Sequence, residues 1–201
     1  MGQGMRIIAG RARGHRLKTV KGRGIRPMLD RVKESLFNIL QPRLPGAAVL
    51  DLFAGSGSIG LEALSRGAAR CTFVELEPAH IRVLQENLAA TGLGEGAEVE
   101  VLRRDVLRAI PELAARGEVY DLVFVDPPYG RDLVPPVLAA LAEAGLVAPD
   151  GVVVAHHHHK DPAPDRAGDL ARFRQLRFGE IGISLYRREP ARAGAPETGR
   201  E

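Results

Sequence analysis

The feature that most constrains the fold is a short apolar run that stops at two prolines. The run Leu122–Val125 lies between Asp121 and the segment Asp126-Pro127-Pro128-Tyr129. A continuous apolar run of this length is typical of a strand buried on both faces, as in a parallel sheet. Because proline fixes φ and lacks an N–H group, the strand has to end there. The pattern therefore predicts a buried parallel strand over 120–126, with an acid at its carboxyl end.

Strand and helix patterns alternate on both sides of this run. Short apolar runs predict strands over 48–52, 71–75, 98–102 and 151–155. Helical spacing predicts helices over 29–40, 58–65, 78–91, 106–115 and 134–144. Such alternation is typical of a parallel α/β sheet with helices on both faces. Beyond it, 173–177 and 181–186 flank a turn at Gly179 and predict an antiparallel hairpin, which makes a seven-stranded sheet.

Length and composition are those of one globular domain. The chain has 201 residues, of which 45% are hydrophobic and 26% charged. No stretch reaches the roughly 18 apolar residues of a membrane span and no signal peptide is recognisable, so we expect a cytoplasmic protein without membrane contact. The single cysteine, Cys71, allows no internal disulfide and is expected to fill the core. We expect residues 27–188 to form the domain and residues 189–201, rich in Ala, Gly, Pro, Arg and Glu, to be disordered.

The N-terminal segment is strongly basic although the net charge of the chain is only +3. Residues 1–26 contain eight Lys or Arg and no acid, and glycines recur between them. A pliable basic arm suits the phosphate backbone of a nucleic acid, and a solvated tail is the alternative. The side chains predicted to contact nucleic acid are Arg11, Arg13, Arg16, Lys18 and Arg26.

A glycine-rich loop follows the first predicted strand. Gly55, Gly57 and Gly60 form the pattern G-x-G-x-x-G, which lets a ligand approach the backbone at the start of a helix. Taken alone, this pattern is a weak signal. It fits either a dinucleotide or S-adenosylmethionine.

Acidic residues at the ends of three successive strands favour the second ligand. Asp51 precedes the glycines, where a carboxylate repels a pyrophosphate but can bind an aminoacyl ammonium, directly or through water. Glu75 can accept hydrogen bonds from ribose hydroxyls, and Asp105 or its neighbouring backbone can meet the adenine amine. Phe53 either packs near the ligand or fills the core. The predicted cofactor-binding residues are Asp51, Phe53, Ala54, Gly55, Ser56, Gly57, Glu75, Leu76, Asp105 and Val106.

The segment that ends the central strand has the composition of a pocket floor for a planar amine. The residue before a proline is held extended, so we expect the Asp126 side chain and the Pro127 carbonyl to present two acceptors. An exocyclic amine has two N–H bonds to donate, and Tyr129 can stack on its ring. We therefore predict that Asp126, Pro127, Pro128 and Tyr129 form the catalytic site, where a base amine meets an electrophile. A capped strand leading into a turn is the purely structural alternative.

Together these motifs resemble those of the class I S-adenosylmethionine-dependent methyltransferases. The resemblance lies in Asp51–Gly57, Glu75, Asp105 and Asp126–Tyr129. It implies a Rossmann-like fold, S-adenosylmethionine as the cofactor and S-adenosylhomocysteine as its product. The acid-Pro-Pro-aromatic segment implies that the methyl group goes to an exocyclic amine.

Further segments are similar to those of the RsmD family of 16S rRNA guanine-N2 methyltransferases. Arg26-Pro27, which leads into the segment DRVKESLFN over 30–38, and the closing Phe178-Gly179 hairpin carry this similarity, which covers about residues 5–188. The chain departs from the family pattern at Met28-Leu29, where small hydroxyl residues are expected. The resemblance implies methylation of guanine N2 at the guanine 966 type of site during maturation of the small ribosomal subunit.

This resemblance also implies partners. We expect 16S rRNA, within an assembling or assembled 30S particle, to be the substrate and the protein to act as a monomer without a metal. The basic arm would then bind rRNA phosphates, so that deletion of residues 1–24 would lower activity on RNA and spare cofactor binding.

Other functions remain open at this point. A DNA or RNA adenine-N6 or cytosine-N4 methyltransferase would use the same pocket, although a DNA enzyme usually needs a separate recognition domain. A non-catalytic rRNA-binding assembly factor is the alternative of another class. Asp126 in place of Asn argues against a protein glutamine methyltransferase, and a dehydrogenase leaves Asp126–Tyr129 unexplained.

A run of four histidines, His156–His159, follows the fifth predicted strand. Alternate residues of a strand face opposite sides and no cysteine lies nearby, which argues against a zinc site. One histidine bordering the target pocket is a minor alternative. His15 and His80 carry no signal beyond a surface position.

Overall fold

The computed structural model describes residues 5–20 and 28–189. Arg26, Pro27 and the tail from residue 190 lie outside the described residues, so what the sequence predicts for them stays a prediction. The helices are α1 (Asp30–Leu40), α2 (Ser58–Ser65), α3 (Pro78–Thr91), α4 (Val106–Ala115) and α5 (Val134–Ala144), and a 3₁₀ turn spans Gln41–Arg43. The strands are β1 (Ala48–Leu52), β2 (Arg70–Glu75), β3 (Glu98–Arg103), β4 (Tyr120–Val125), β5 (Val147–His158), β6 (Arg166–Ala167), β7 (Leu170–Phe178) and β8 (Ile181–Arg188).

The eight strands within residues 5–20 and 28–189 form one sheet in the order β3-β2-β1-β4-β5-β8-β7-β6. The first five strands are parallel to one another, and β6, β7 and β8 are antiparallel to their neighbours. The predicted fold class is thereby confirmed, with one strand more than the seven expected. The additional strand is β6, two residues at the sheet edge that pair with Leu170 and Ala171. A strand of two residues has no periodicity that a sequence pattern can reveal.

Strand β5 is longer than its apolar run indicates. The sequence predicts a strand over 151–155, whereas β5 runs from Val147 to His158. Its last residues remain in the sheet because they pair with β8, ending with His158 opposite Ile181. Most of the histidine run is therefore part of a central strand.

The sheet separates two apolar layers, and consecutive strand residues point to opposite layers. In β1, Val49 packs in the layer that contains α1, α2 and α3, whereas Leu50 packs in the layer that contains α4 and α5. Cys71 is fully buried in the first layer, which confirms its predicted position in the core. None of the helices within residues 5–20 and 28–189 is long and apolar enough to span a bilayer.

The first described residues form a narrow hairpin, residues 5–17, that packs against the domain. Arg6 and Arg16 pair in antiparallel fashion, and Ile7 is fully buried in the first apolar layer. Gly10 has φ of 84°, and a Cβ atom there would lie 1.9 Å from the Ser65 carbonyl oxygen of α2. This glycine therefore permits close packing of the hairpin on α2, rather than the pliability that its sequence pattern suggests.

A buried ionic cluster, Lys33, Glu62 and Arg66, holds this N-terminal hairpin. The Glu62 carboxylate accepts hydrogen bonds from the Ile8 and Ala9 amides at 2.7 and 3.1 Å. It also pairs with Arg66 at 2.7 Å and lies 3.6 Å from Lys33 Nζ. Burial lowers the pKa of Lys33, although the nearby Glu62 and Asp30 charges oppose that effect. The hairpin is thus bound to the domain through charges that water does not screen.

Candidate active site

A cavity of about 660 Å³ opens at the carboxyl edge of the parallel strands. Its volume is in the range of small-molecule sites. The loops that follow β1, β2, β3 and β4 supply most of its wall. Strands β1 and β4 are neighbours in the sheet but not in the sequence, so the chain leaves them in opposite directions. Such a switch point is where open α/β sheets bind ligands.

Nearly all residues predicted for the cofactor and for catalysis line this one cavity. They are Asp51, Phe53, Ala54, Gly55, Ser56, Glu75, Leu76, Asp105, Val106, Asp126, Pro127, Pro128 and Tyr129. Gly57 is not part of the lining. It lies at the start of α2 with φ of 85°, and a Cβ atom there would meet Leu84 Cδ1 at 2.1 Å. Gly57 therefore lies on the side of the loop that packs against Leu84, where a side chain would clash.

The N-terminal segment also reaches the cavity, through Met5, Thr19 and Val20. No pattern in the sequence indicates this contribution. Because these residues form part of the wall, deletion of residues 1–24 would alter the cavity itself. We therefore expect such a deletion to weaken cofactor binding as well as activity on RNA.

The described side chains among those predicted to contact nucleic acid, Arg11, Arg13, Arg16 and Lys18, lie outside the cavity lining. The Arg11 guanidinium donates to the carbonyl oxygens of Leu93 and Glu95, at 2.7 and 3.1 Å. Lys18 pairs with Glu86 at 2.8 Å on the surface. These two side chains therefore have partners within the protein.

The amides of the glycine loop are hydrogen-bonded within the protein. Three of them donate to internal acceptors at 2.7–2.9 Å: Gly55 to Glu75, Gly57 to Ala54 and Gly60 to Asp51. A loop that binds a pyrophosphate needs amides directed at the ligand. Here the Gly55 and Gly60 amides are instead directed at carboxyl groups of the protein.

Asp51 is buried beneath the loop, with 1% of its surface exposed. Burial raises its pKa to about 8, against the opposing hydrogen bond from the Gly60 amide. The charges of Asp126 and Glu75 raise it further. The ligand-free protein therefore carries a proton on Asp51 at pH 7, and a cation in the cavity would favour the ionised form.

Glu75 joins the loops that follow β1 and β2. Its Oε1 accepts from the Leu76 and Glu77 amides at 2.8 and 2.9 Å, and its Oε2 accepts from the Gly55 amide at 2.7 Å. A carboxylate has about four acceptor positions, so one remains for a ligand hydroxyl. His80 Nδ1 lies 3.4 Å from Oε2, is buried and has no hydrogen bond to a described residue. His80 also lines the cavity, with 22% of its side chain exposed, whereas its sequence context predicts no more than a surface position.

The side of the cavity that β3 contributes is more exposed. Asp105 caps α4 by accepting the Leu107 amide at 3.0 Å. Arg104 and Arg131 also line the cavity and are exposed. Positive charge therefore lies beside the acidic interior, where a phosphate of a large substrate can approach.

The segment Asp126–Tyr129 lies between the cavity and the C-terminal end of β5. The Asp126 side chain is 32% exposed, and its Oδ1 lies 2.5 Å from Nδ1 of the buried His156. The Tyr129 hydroxyl lies 3.0 Å from His156 Nε2. The structure thus brings His156 into contact with two of the predicted catalytic residues. A histidine beside the target pocket is only a minor alternative from the sequence.

The donor and acceptor set of the cavity fits S-adenosylmethionine. Its acidic side chains, Asp51, Glu75 and Asp105, match the ammonium, hydroxyl and amine donors of that molecule. The bonded amides of the glycine loop and the buried acid beneath it do not match a dinucleotide pyrophosphate. Between the two ligands that the glycine pattern allows, the geometry favours the methyl donor.

Comparison with known proteins agrees with this assignment. The family model described as conserved hypothetical protein 95 matches residues 5–187. Ribosomal RNA small subunit methyltransferase D of Escherichia coli K12 is 36% identical over 185 residues, 92% of this chain and 90% of that protein. A solved structure of a hypothetical protein from Thermus thermophilus is 33% identical, with a TM-score of 0.78 over 90% of this chain and 98% of that one.

A more distant solved structure shares the fold. A SAM-dependent methyltransferase from Agrobacterium tumefaciens is 21% identical, with a TM-score of 0.63 over 86% of this chain and 66% of that one. The family match, the identity over nearly the whole chain and the shared fold lead to one conclusion. The chain belongs to the RsmD family and has the class I methyltransferase fold.

Proposed function

We propose that the protein transfers a methyl group from S-adenosylmethionine to the exocyclic N2 amine of a guanine in 16S rRNA, at the guanine 966 type of site. One observation carries this proposal: Asp126–Tyr129 and the loops after β1 and β2 open into the same cavity. An amine held by the first segment therefore meets a cofactor held by the others. The substrate class rests on relatives named as rRNA small subunit methyltransferases.

The chemistry follows from positioning. S-adenosylmethionine, when bound, supplies a methyl group on a sulfonium, an electrophile that needs an aligned nucleophile more than a strong base. Asp126 and the Pro127 carbonyl would accept the two N–H bonds of the amine, which favours a pyramidal nitrogen. The nitrogen lone pair forms the new N–C bond, and the electrons of the broken S–C bond stay on sulfur. The surplus proton leaves the nitrogen to Asp126 or to water, and the Asp126 charge stabilises the positive nitrogen before that.

The substrate has to present an unpaired base. A base inside a duplex does not reach such a pocket, so the guanine is looped out or flipped out. Arg131 beside the pocket and the exposed Arg13 and Arg16 are suited to RNA phosphates. We propose that the protein acts as a monomer on 16S rRNA in an assembling or assembled 30S particle.

Cofactor binding is expected to release a proton from Asp51 at pH 7. The pKa of Asp51 is about 8 without ligand, and the methionyl ammonium would lower it by favouring the carboxylate. Because the ligand-free form holds the proton and the complex does not, affinity should rise with pH up to about 8. The test is calorimetric titration with S-adenosylhomocysteine, which carries the same ammonium, in two buffers of unequal ionisation enthalpy. A released proton is taken up by the buffer, so the apparent binding enthalpy should differ between the two buffers.

The matched control for this experiment is the exposed Asp105, in the same cavity. Asp51→Asn should abolish the proton release and weaken binding, whereas Asp105→Asn should leave the release intact. Equal apparent enthalpies in both buffers for the unsubstituted protein would contradict the role of Asp51.

Nucleoside analysis tests the proposed function. Undermethylated 16S rRNA, free and in 30S particles, is incubated with the protein and methyl-labelled S-adenosylmethionine, then digested and analysed by mass spectrometry. We expect one N2-methylguanosine per rRNA and no labelled nucleoside from duplex DNA. Label in N6-methyladenosine or N4-methylcytidine would identify the alternative methyltransferases. RNA binding without any labelled nucleoside would identify an assembly factor.

A further inference from the structure

The histidine run divides between the two faces of β5. His156 and His157 are both 2% exposed, but their partners differ. The His157 ring bonds to Ser184 Oγ at 3.0 Å and to the His158 carbonyl at 2.8 Å, away from the predicted catalytic residues. His156 instead contacts Asp126 and Tyr129. One member of the run is therefore built into the site, and its neighbour is not.

The register between β4 and β5 places His156 beside Asp126. Strands β4 and β5 pair in parallel with Val125 opposite Ala155, so the next residue of each strand, Asp126 and His156, come side by side. On the other side of β5, His156 lies opposite Ile183 of β8, which is apolar and fully buried. Because His156 is held on both sides within a central strand, its ring has little freedom to leave Asp126.

We propose that His156 is a positioning residue for the methyl transfer, which fixes the Asp126 carboxylate toward the target amine and sets the charge of the Asp126–His156 pair. This inference rests on the proposed function. The observation behind it is the chain of contacts from the Tyr129 hydroxyl through His156 Nε2 and Nδ1 to Asp126 Oδ1, at 3.0 and 2.5 Å.

The geometry assigns different tasks to the two Asp126 oxygens. An ionised carboxylate can only accept, so in the hydrogen bond between His156 and Asp126 we infer that Nδ1–H donates to Oδ1. Oδ1 is then engaged, and Oδ2 is available to accept an N–H of the target amine. With Nδ1 as the donor, a neutral His156 accepts the Tyr129 O–H at Nε2, which also fixes the ring that stacks on the base.

The charge of the pair depends on the protonation of His156. Burial alone would lower its pKa, but the adjacent Asp126 carboxylate outweighs burial through charge and hydrogen bonding, and the pKa is raised. When His156 is neutral, the pair has a net negative charge that stabilises a developing positive nitrogen. When His156 is protonated, the pair is neutral and that stabilisation weakens. Transfer should therefore accelerate as pH rises through the pKa of His156.

Titratable groups on the elements that surround His156 could also change the rate with pH. Asp126 follows β4, Tyr129 lies in the next loop, and His157 is the adjacent residue of β5. Asp51 at the end of β1 acts on Asp126 by charge. Because Asp51 should ionise on cofactor binding, a measurement at saturating cofactor removes its titration from the rate profile.

The test is the pH dependence of single-turnover methyl transfer at saturating cofactor and rRNA, from pH 5.5 to 9. In the unsubstituted protein the rate should rise about tenfold per pH unit below one inflection and then level off. His156→Gln keeps an N–H donor for Asp126 but does not titrate, so its profile should lose that inflection. His157→Gln removes an equally buried histidine of the same strand and should keep it. Thermal unfolding establishes that both variants are folded.

The outcomes separate this inference from the proposed function. An inflection that persists unchanged in His156→Gln would overturn the role of His156 alone. Absence of transfer by the unsubstituted protein at every pH would overturn the proposed function, and this inference with it. If His156→Gln does not fold, NMR titration of the His156 ring in the unsubstituted protein replaces it. An inflection of the ring signals that does not coincide with the rate inflection overturns the inference.

Discussion

Asp126→Ala is expected to lower the rate of methyl transfer by at least about 10²–10³-fold, the effect of removing one group that stabilises transition-state charge. The substitution removes the acceptor for the target amine and the only partner of His156 Nδ1 among the described residues. Cofactor affinity should stay within a few-fold, because Asp51, Glu75 and the glycine loop remain. The measurement combines single-turnover transfer to rRNA with calorimetric binding of S-adenosylhomocysteine.

The matched control is Asp121→Ala, at the opposite end of the same strand. Asp121 accepts the Ala48 amide at 2.8 Å, far from the carboxyl edge, so its loss should leave transfer nearly unchanged. Asp126→Asn separates charge from hydrogen bonding, since it keeps an acceptor without the charge. Transfer by Asp126→Ala at near the unsubstituted rate would contradict the assignment of Asp126 to the reaction.

Glu62→Ala is expected to destabilise the fold by about 3–5 kcal/mol, the cost of breaking a buried ion pair. Glu62 is fully buried, and its loss leaves Arg66 Nε and the Ile8 and Ala9 amides without their acceptor. It also removes the opposite charge 3.6 Å from the buried Lys33 ammonium. For a chain of this length the melting temperature should fall by roughly 10 °C or more. Thermal and urea unfolding followed by circular dichroism measure the change.

The loss of Glu62 should also release the N-terminal hairpin. Since Met5 of this hairpin lines the cavity, S-adenosylhomocysteine should bind more weakly than it does to the unsubstituted protein. The control is Glu112→Ala, which removes an exposed pair with Arg104 at 3.0 Å and should cost no more than about 1 kcal/mol. Equal stability of the two variants would show that the ionic cluster does not hold the hairpin.

Most of the correct predictions about the fold and the site come from local sequence patterns. The strand over 120–126, the hairpin turn at Gly179 and the glycine loop each rest on residues close together in the sequence, and each appears where it is predicted. The acids at the strand ends also meet as expected, because parallel strands bring their carboxyl ends to one edge. Periodicity, proline geometry and strand polarity are enough for these conclusions.

Contacts between distant segments could not be predicted in the same way. The basic segment of residues 5–17 has the composition of a solvated arm, but Glu62 binds its amides across 53 and 54 residues of sequence. His80 has no distinctive pattern around it, and only the folding of α3 beside β2 brings it to Glu75. The position of Pro78-Ala79-His80 directly after the acidic end of β2 is the one signal that could have located it.

The sequence by itself determined the parallel sheet and the positions of the glycine loop and of Asp126–Tyr129 at the ends of strands, because these follow from local periodicity and proline geometry. The tertiary structure decided which side chains come into contact. The pairing of β4 with β5 places His156 against Asp126, 30 residues away in the chain, and the ionic cluster brings the N-terminal hairpin to the cavity. The physical reason is that strand register and burial depend on how all the strands pack together. A single segment of the sequence does not determine that packing.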